Sequence, residues 1–254
     1  MRASTKVRRI ALAGMFWCAS FLYGSPAFGQ LNMVSVHVEI RKKGDAKQVK
    51  GARSPANLSE VVVWLKPLES TGAEGAAAEQ AHKRLQLIQR NKSFQPHVLV
   101  VPVGSAVDFP NRDPFFHNVF SLFDGKRFDL GLYEAGATNS VRFDRLGVSF
   151  LFCNIHPEMS AVVIAVDTPY YGVSDRTGSV TIPDLPDGKY ELHLWYERSL
   201  PEDLKALTKT VTVSAATKDL GAIVVLENPN FSPAHKNKYG QDYPSPPSRP
   251  YSNP

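Results

Sequence analysis

Cys153-Asn154-Ile155-His156-Pro157-Glu158-Met159 puts a thiol, an imidazole and a thioether into seven residues, and an isolated His117-Asn118-Val119 stands well upstream. One thiolate, two imidazoles and a weak axial thioether form a donor set suited to copper, with Cys and both His in a trigonal arrangement. The candidate ligands are His117, Cys153, His156 and Met159. This restricts the fold. One loop must close over an ion at the end of a sheet, and another segment must deliver His117 to the same point.

The amino terminus indicates where such chemistry takes place. Residues 1–29 carry Arg2, Lys6, Arg8 and Arg9, then an apolar stretch beginning at Ile10, then Ala27-Phe28-Gly29, the small-x-small pattern of a secretory cleavage site. The apolar stretch is shorter than the roughly 20 residues a membrane helix needs, and no other segment approaches that length. The chain has 29 Lys+Arg against 24 Asp+Glu. Removing four bases leaves 25 against 24, so the basic balance belongs largely to the segment that is cut away, and no basic patch argues for nucleic acid. Of two cysteines, Cys18 falls in the signal, and Cys153 stands alone in the exported part. In an oxidising compartment a lone thiol closes no internal disulfide. A buried inert cysteine is the plain alternative, but a His three residues on and a Met six on favour a ligand.

The rest of the exported chain reads as β throughout. Residues 34–40 alternate apolar and polar, and 60–65 form a short apolar run fit for a buried strand. Residues 72–82 are rich in Ala, Glu and Gln and read as an inserted excursion. Further strands are expected at 84–89, 98–103 and 106–109, with Gly104-Ser105 as the turn, and at 119–123, 140–143, 148–153 and 161–167. Many short strands separated by turn residues predict an antiparallel sandwich. A second, smaller β-sandwich is expected over 168–227, after a first unit over 30–167. Residues 228–254 are rich in proline, which supplies no ladder donor, and predict a disordered tail.

Residues 91–168 resemble a cupredoxin of the plastocyanin/amicyanin-like kind often labelled methylamine-utilisation proteins. The resemblance rests on Asn91-Lys92-Ser93-Phe94-Gln95-Pro96, on Val103-Gly104-Ser105-Ala106-Val107-Asp108-Phe109-Pro110-Asn111-Arg112-Asp113, and on His117-Asn118-Val119-Phe120-Ser121. It continues through Phe128-Asp129-Leu130-Gly131 and the C-x-x-H-x-x-M loop, all in the family's order. It implies a Greek-key β-sandwich and one copper ion per chain, cycling between Cu(I) and Cu(II). His117 would be the first imidazole ligand, Cys153 the thiolate, His156 the second imidazole and Met159 the axial thioether. Asn118 would tie two loops together beside the sulfur. Residues 175–195 resemble a carboxypeptidase-regulatory or transthyretin-like β-sandwich through Asp175, Gly178, Val180, Ile182, Leu185, Pro186, Gly188 and Tyr190. Modules of that kind are usually structural or binding accessories.

The expected function is one-electron transfer by a periplasmic type 1 copper protein, with a cytochrome or a dehydrogenase as redox partner. The alternatives are copper delivery by the same four ligands and a metal-free cell-envelope binding module. No nucleophile elbow, phosphate loop or H-E-x-x-H motif argues for an enzyme, and four ligands leave no open position for substrate. Asp113 and Glu158 read as surface charges. His37, His82, His97, His193 and His235 read as structural or surface residues, with His97 on a strand that approaches the site in many cupredoxins. Phe115, Phe116, Phe120, Phe150 and Phe152 could form a dry shell or plain core.

Overall fold

The computed structural model describes residues 31–44, 57–69, 84–122 and 124–243. The expected export signal, the excursion at 72–82 and the end of the proline-rich tail lie outside the described residues. The chain begins with β1 (Asn32–Lys42) and β2 (Val62–Pro67), then the short strands β3 (Leu85–Gln86), β4 (Ile88–Arg90) and β5 (Ser93–Gln95). There follow β6 (Val98–Pro102), β7 (Ser105–Pro110), β8 (His117–Ser121), β9 (Phe128–Tyr133), β10 (Thr138–Phe143), β11 (Gly147–Phe152) and β12 (Ser160–Val166). The last group is β13 (Tyr171–Val173), β14 (Ser179–Leu185), β15 (Gly188–Trp195), helix α1 (Pro201–Ala206), β16 (Lys209–Val213) and β17 (Asp219–Glu227). The all-β expectation holds.

Four sheets stack face to face, with orders β10-β7-β3, β6-β12-β11-β8-β9, β13-β2-β15-β16 and β14-β1-β17. Strand periodicity assigns each side chain to its layer. In β12, Ala161, Val163 and Ala165 face the core shared with Val107 and Phe109 of β7 and Phe143 of β10. Val162, Ile164 and Val166 of the same strand face the opposite way and meet Val62, Trp64, Tyr171 and Trp195. On the far side of β2 and β15, Val63, Leu65, Tyr190 and Leu192 pack on Val34, Val36 and Val38 of β1. Strands β2 and β12 are apolar on both faces because both lie in inner layers.

The expected boundaries of 30–167 and 168–227 differ from this pairing. β1 pairs with β14 antiparallel and with β17 in parallel, and β2 lies between β13 and β15. The amino-terminal strands therefore build the carboxy-terminal sandwich. Local alternation marks a strand but does not name its partner, and β1 finds its partners well over a hundred residues away. The Gly104-Ser105 turn also differs: β6 pairs in parallel with β12 while β7 pairs with β10, so the turn carries the chain from one sheet to the facing one.

The tail is the other correction. Residues 228–243 are described and held without ladder pairing, by single anchors such as the Asn228 N–H donating to the Arg198 carbonyl at 2.7 Å. Asn237 organises a tight turn, its Oδ1 accepting from the N–H groups of Tyr239 and Gln241 at 2.9 and 3.0 Å. Proline content removed the regular pattern, and side-chain contacts replaced it.

Candidate metal centre

Residues 153–159 connect two antiparallel neighbours, β11 and β12, and Phe152 opposite Ser160 is the last pair before the loop. The loop is closed internally. The Cys153 N–H donates to the Met159 carbonyl at 3.2 Å, and the Met159 N–H to the His156 carbonyl at 3.1 Å. His117 is the first residue of β8, the strand on the other side of β11. Sheet order thus brings the remote imidazole beside the loop.

The ligating atoms of His117, Cys153 and His156 all lie within 4.8 Å of one another. Cys153 Sγ is 3.9 Å from His117 Nδ1 and 3.5 Å from His156 Nδ1. Metal bonds of about 2.0–2.3 Å at tetrahedral to trigonal angles separate a sulfur from a nitrogen donor by about 3.6–3.8 Å, so both sulfur–nitrogen separations suit one shared first-row ion. Met159 is fully buried in the same core cluster as Cys153. His117 and Cys153 are also fully buried, whereas His156 is half-buried at the rim. A thiolate, two imidazoles and a neighbouring thioether form a soft-to-borderline set that suits copper.

Asp113 fixes the orientation of His117. The His117 Nε2 donates to Asp113 Oδ2 at 2.8 Å, which leaves Nδ1, the nitrogen facing the sulfur, with its lone pair. The carboxylate is itself held in place. Asn91 and Lys92 form the tight turn between β4 and β5 with φ of 54° and 52°, and their N–H groups donate to Asp113 at 2.6 and 2.9 Å. Asn111 shapes the intervening loop by accepting the Asp113 N–H at 3.0 Å and donating to the Phe115 carbonyl at 2.8 Å. Burial opposes ionisation of Asp113, but the Lys92 N–H, His117 and the Asn91 N–H together hold it below the usual carboxylate range. Asp113 is thus not a surface charge. The signal that could have shown this was its place in the Asn111-x-Asp113 string, four residues before His117, the first residue of β8.

Asn118 lies beside the site, but its side chain binds β9 and not the Cys153 loop. Nδ2 donates to Asp129 Oδ1 at 2.7 Å and to the Gly131 carbonyl at 2.8 Å. Its backbone N–H, with those of Ile155 and His156, donates toward the Cys153 sulfur. Burial is the larger influence on that thiol and pushes it above its ordinary value despite these donors. Burial, with the nearby His117, pushes His156 down. In the metal-free protein the sulfur is therefore protonated and the His156 imidazole neutral at neutral pH, so binding a metal displaces the thiol proton.

The Phe115 ring lies 5.2 Å from His117 and 5.6 Å from His156, covering the imidazole pair. Phe150 faces the other side of its sheet, toward Trp195. Glu158 is exposed. His97 does not join the cluster; its ring nitrogens bond to Glu197 and to the Ser160 carbonyl. His235 lies over the site's flank, stacked on Phe152 at 4.2 Å. Lys238 and Tyr243, from the tail, also reach the loop.

No protein-family model matches this chain, and no curated protein does. Among solved structures, the chain is similar to a purple cupredoxin from Nitrosopumilus maritimus, at 26% identity over 32% of this chain and 99% of that one, with a TM-score of 0.30. It is similar to a reduced amicyanin mutant at 24% identity, over 35% of this chain and 89% of that one, with a TM-score of 0.32. A copper-containing nitrite reductase from Thermus scotoductus SA-01 is 19% identical over 52% of this chain, with a TM-score of 0.32, and the chain spans only 28% of its length.

Proposed function

We propose that this chain is an exported type 1 copper protein that carries single electrons between redox partners. The reading rests on one observation: three donor atoms of the right kind converge within 4.8 Å at the end of a sheet. A copper ion held by His117, Cys153, His156 and Met159 would supply the redox chemistry by alternating between Cu(I) and Cu(II). The chain's part is to keep the donors still. Cys153 and Met159 are fixed by the closed loop and His117 by Asp113, so neither oxidation state requires the protein to rearrange.

Full burial of His117, Cys153 and Met159 favours carrying over delivery, because an acceptor protein could not reach these ligands without opening the loop. His156 is the exit. It reaches the surface beside Phe115, 36% exposed, and Ile155, 43% exposed, a small apolar edge suited to brief docking with a redox protein such as a cytochrome or a dehydrogenase. Four donors leave no position for substrate, which supports a carrier and not an enzyme. Export to the periplasm fits the residues 1–29 pattern. The second sandwich, with its resemblance to carboxypeptidase-regulatory modules, serves as an accessory to the carrier.

The test is the visible and electron paramagnetic resonance spectrum of the protein with one equivalent of Cu(II), beside Cys153→Ser. An intense thiolate-to-copper band with small copper hyperfine splitting, lost in the variant, is the expected result. A pale, ordinary Cu(II) spectrum unchanged by the substitution would remove Cys153 from the site and end the electron-transfer reading.

A further inference from the structure

The tail meets three consecutive residues at the end of β11. The His235 ring stacks on Phe152 at 4.2 Å, the Tyr243 hydroxyl donates to the Cys153 carbonyl at 2.7 Å, and the Lys238 N–H donates to Asn154 Oδ1 at 3.0 Å. The Lys238 ammonium also pairs with Asp129 Oδ2 at 2.7 Å. Asp129 Oδ1 in turn receives the Asn118 amide. A continuous circuit therefore runs from Asn118, next to His117, through Asp129 and Lys238 to Asn154, next to Cys153. The Asn118 side chain does not span the two ligand segments by itself, and the tail supplies the missing link.

We propose that residues 235–243 form a strap that locks the Cys153 end of the loop against the His117 strand, with Lys238 and Tyr243 as positioning residues for the sulfur. The strap restrains the loop with or without metal. Its consequence for electron transfer rests on the copper reading; its effect on the loop does not. The Tyr243 hydroxyl acts directly on Cys153, since a donor at its carbonyl fixes the peptide plane from which the side chain departs. Lys238 acts on the loop through its N–H and on the His117 strand indirectly, through its ammonium on Asp129 of β9, which holds Asn118. Tyr239 lies in the same turn and is 70% exposed, and its hydroxyl meets the Lys238 ammonium and not the loop; an exposed contact of that kind contributes little, which makes Tyr239 the internal control.

The experiment uses the full copper-free chain carrying Cys18→Ser, so that Cys153 is the single thiol, and follows its reaction with a maleimide. The thiol is buried, so the rate reports how often the loop opens. Tyr243→Phe removes the partly buried hydrogen bond to the Cys153 carbonyl and the 3.3 Å contact with His235 Nδ1; loss of one such bond raises an opening equilibrium by about fivefold, so the variant should react at least about fivefold faster than the parent. Lys238→Met, which breaks a partly exposed pair, should react about twofold to fivefold faster, and Tyr239→Phe no faster than the parent. Thermal unfolding of each variant shows that it is folded when assayed. A second readout is the energy of the thiolate-to-copper band after loading with Cu(II), which should move in Tyr243→Phe and stay fixed in Tyr239→Phe. Rates in all three variants equal to the parent's would overturn the strap. Raised rates with no thiolate band in any protein, parent included, would uphold the strap and defeat the copper reading.

Discussion

Asp113 illustrates how a side chain gains a function from what folds onto it. Its carboxylate accepts from two N–H groups of the β4–β5 turn and from His117 Nε2, and with that third bond it selects the imidazole nitrogen that faces the sulfur. Partners of this sort behind a metal-bound His commonly change affinity by about 10–100-fold when removed. Asp113→Asn should weaken copper binding by about that much, measured by competition with a chelator of known affinity. Asn keeps the shape and one acceptor, so the copper-free protein should still unfold cooperatively. Unchanged affinity would mean that Asp113 supports only the turn. The three side chains that the structure brings together, His117, Cys153 and His156, were legible in the sequence because a lone Cys with a His three residues on is an uncommon, tight spacing, joined here to an isolated His upstream. Asp113 was not, because a carboxylate looks like any surface charge until the donors from residues 91 and 92 are brought against it.

At the scale of elements, the strands were legible and their partners were not. The buried-exposed alternation of β1 was visible as Val34, Val36, Val38 and Ile40, yet nothing local tells such a strand to insert between β14 and β17. The join is sealed at a turn. Gly178 has φ of +85°, its carbonyl accepts the Val38 N–H at 2.8 Å, and a Cβ there would collide with the Val38 carbonyl oxygen. Gly104, at the sheet-changing turn, also has positive φ, +94°, but nothing stands within 4 Å of a Cβ built there. The two glycines separate backbone strain from collision. Gly104→Ala should cost only the left-handed penalty, about 1–2 kcal/mol. Gly178→Ala should cost that and the displacement of β1, about 3 kcal/mol or more in total. Urea unfolding of the copper-free variants measures the difference, and equal losses would show that β1 yields freely at this turn. The tail was the least legible element. Its order comes from scattered anchors such as Tyr243 on the Cys153 carbonyl, and neither periodicity nor composition records those.

For the molecule as a whole, the layer between the two sandwiches decides whether they behave as one body. Val98, Val100, Val162, Ile164 and Val166 of the site-bearing sheet are buried against Val62, Trp64 and Trp195 of the other, and each such side chain contributes roughly 1.5–3 kcal/mol when buried. At the edge of this layer, just before β6, stands a polar joint. His97 Nε2 is 2.8 Å from Glu197 Oε2, just beyond β15, and Nδ1 is 3.1 Å from the Ser160 carbonyl. Both ring nitrogens face oxygen acceptors, an arrangement that only the doubly protonated imidazolium satisfies in full. The Glu197 hydrogen bond accordingly raises His97 above its ordinary value of 6.5, outweighing the opposing effect of burial. A His raised in the folded state binds its proton more tightly there than in the unfolded chain. Its stabilisation is therefore complete below pH 6.5 and is lost as pH climbs through the higher folded-state value. Folding stability should thus fall with rising pH above 6.5 by an amount that Glu197→Gln reduces, because the amide removes the largest of the influences that hold the proton. His156 is shifted the other way, by burial first, so the quantity to compare is the difference between parent and variant, in which that contribution cancels. Copper-free urea midpoints for both proteins, taken from pH 5.5 upward, decide the matter. The two curves should lie apart at low pH and converge as His97 loses its proton, whereas a constant separation would show that Glu197 acts only through shape and that the joint between the sandwiches is insensitive to pH.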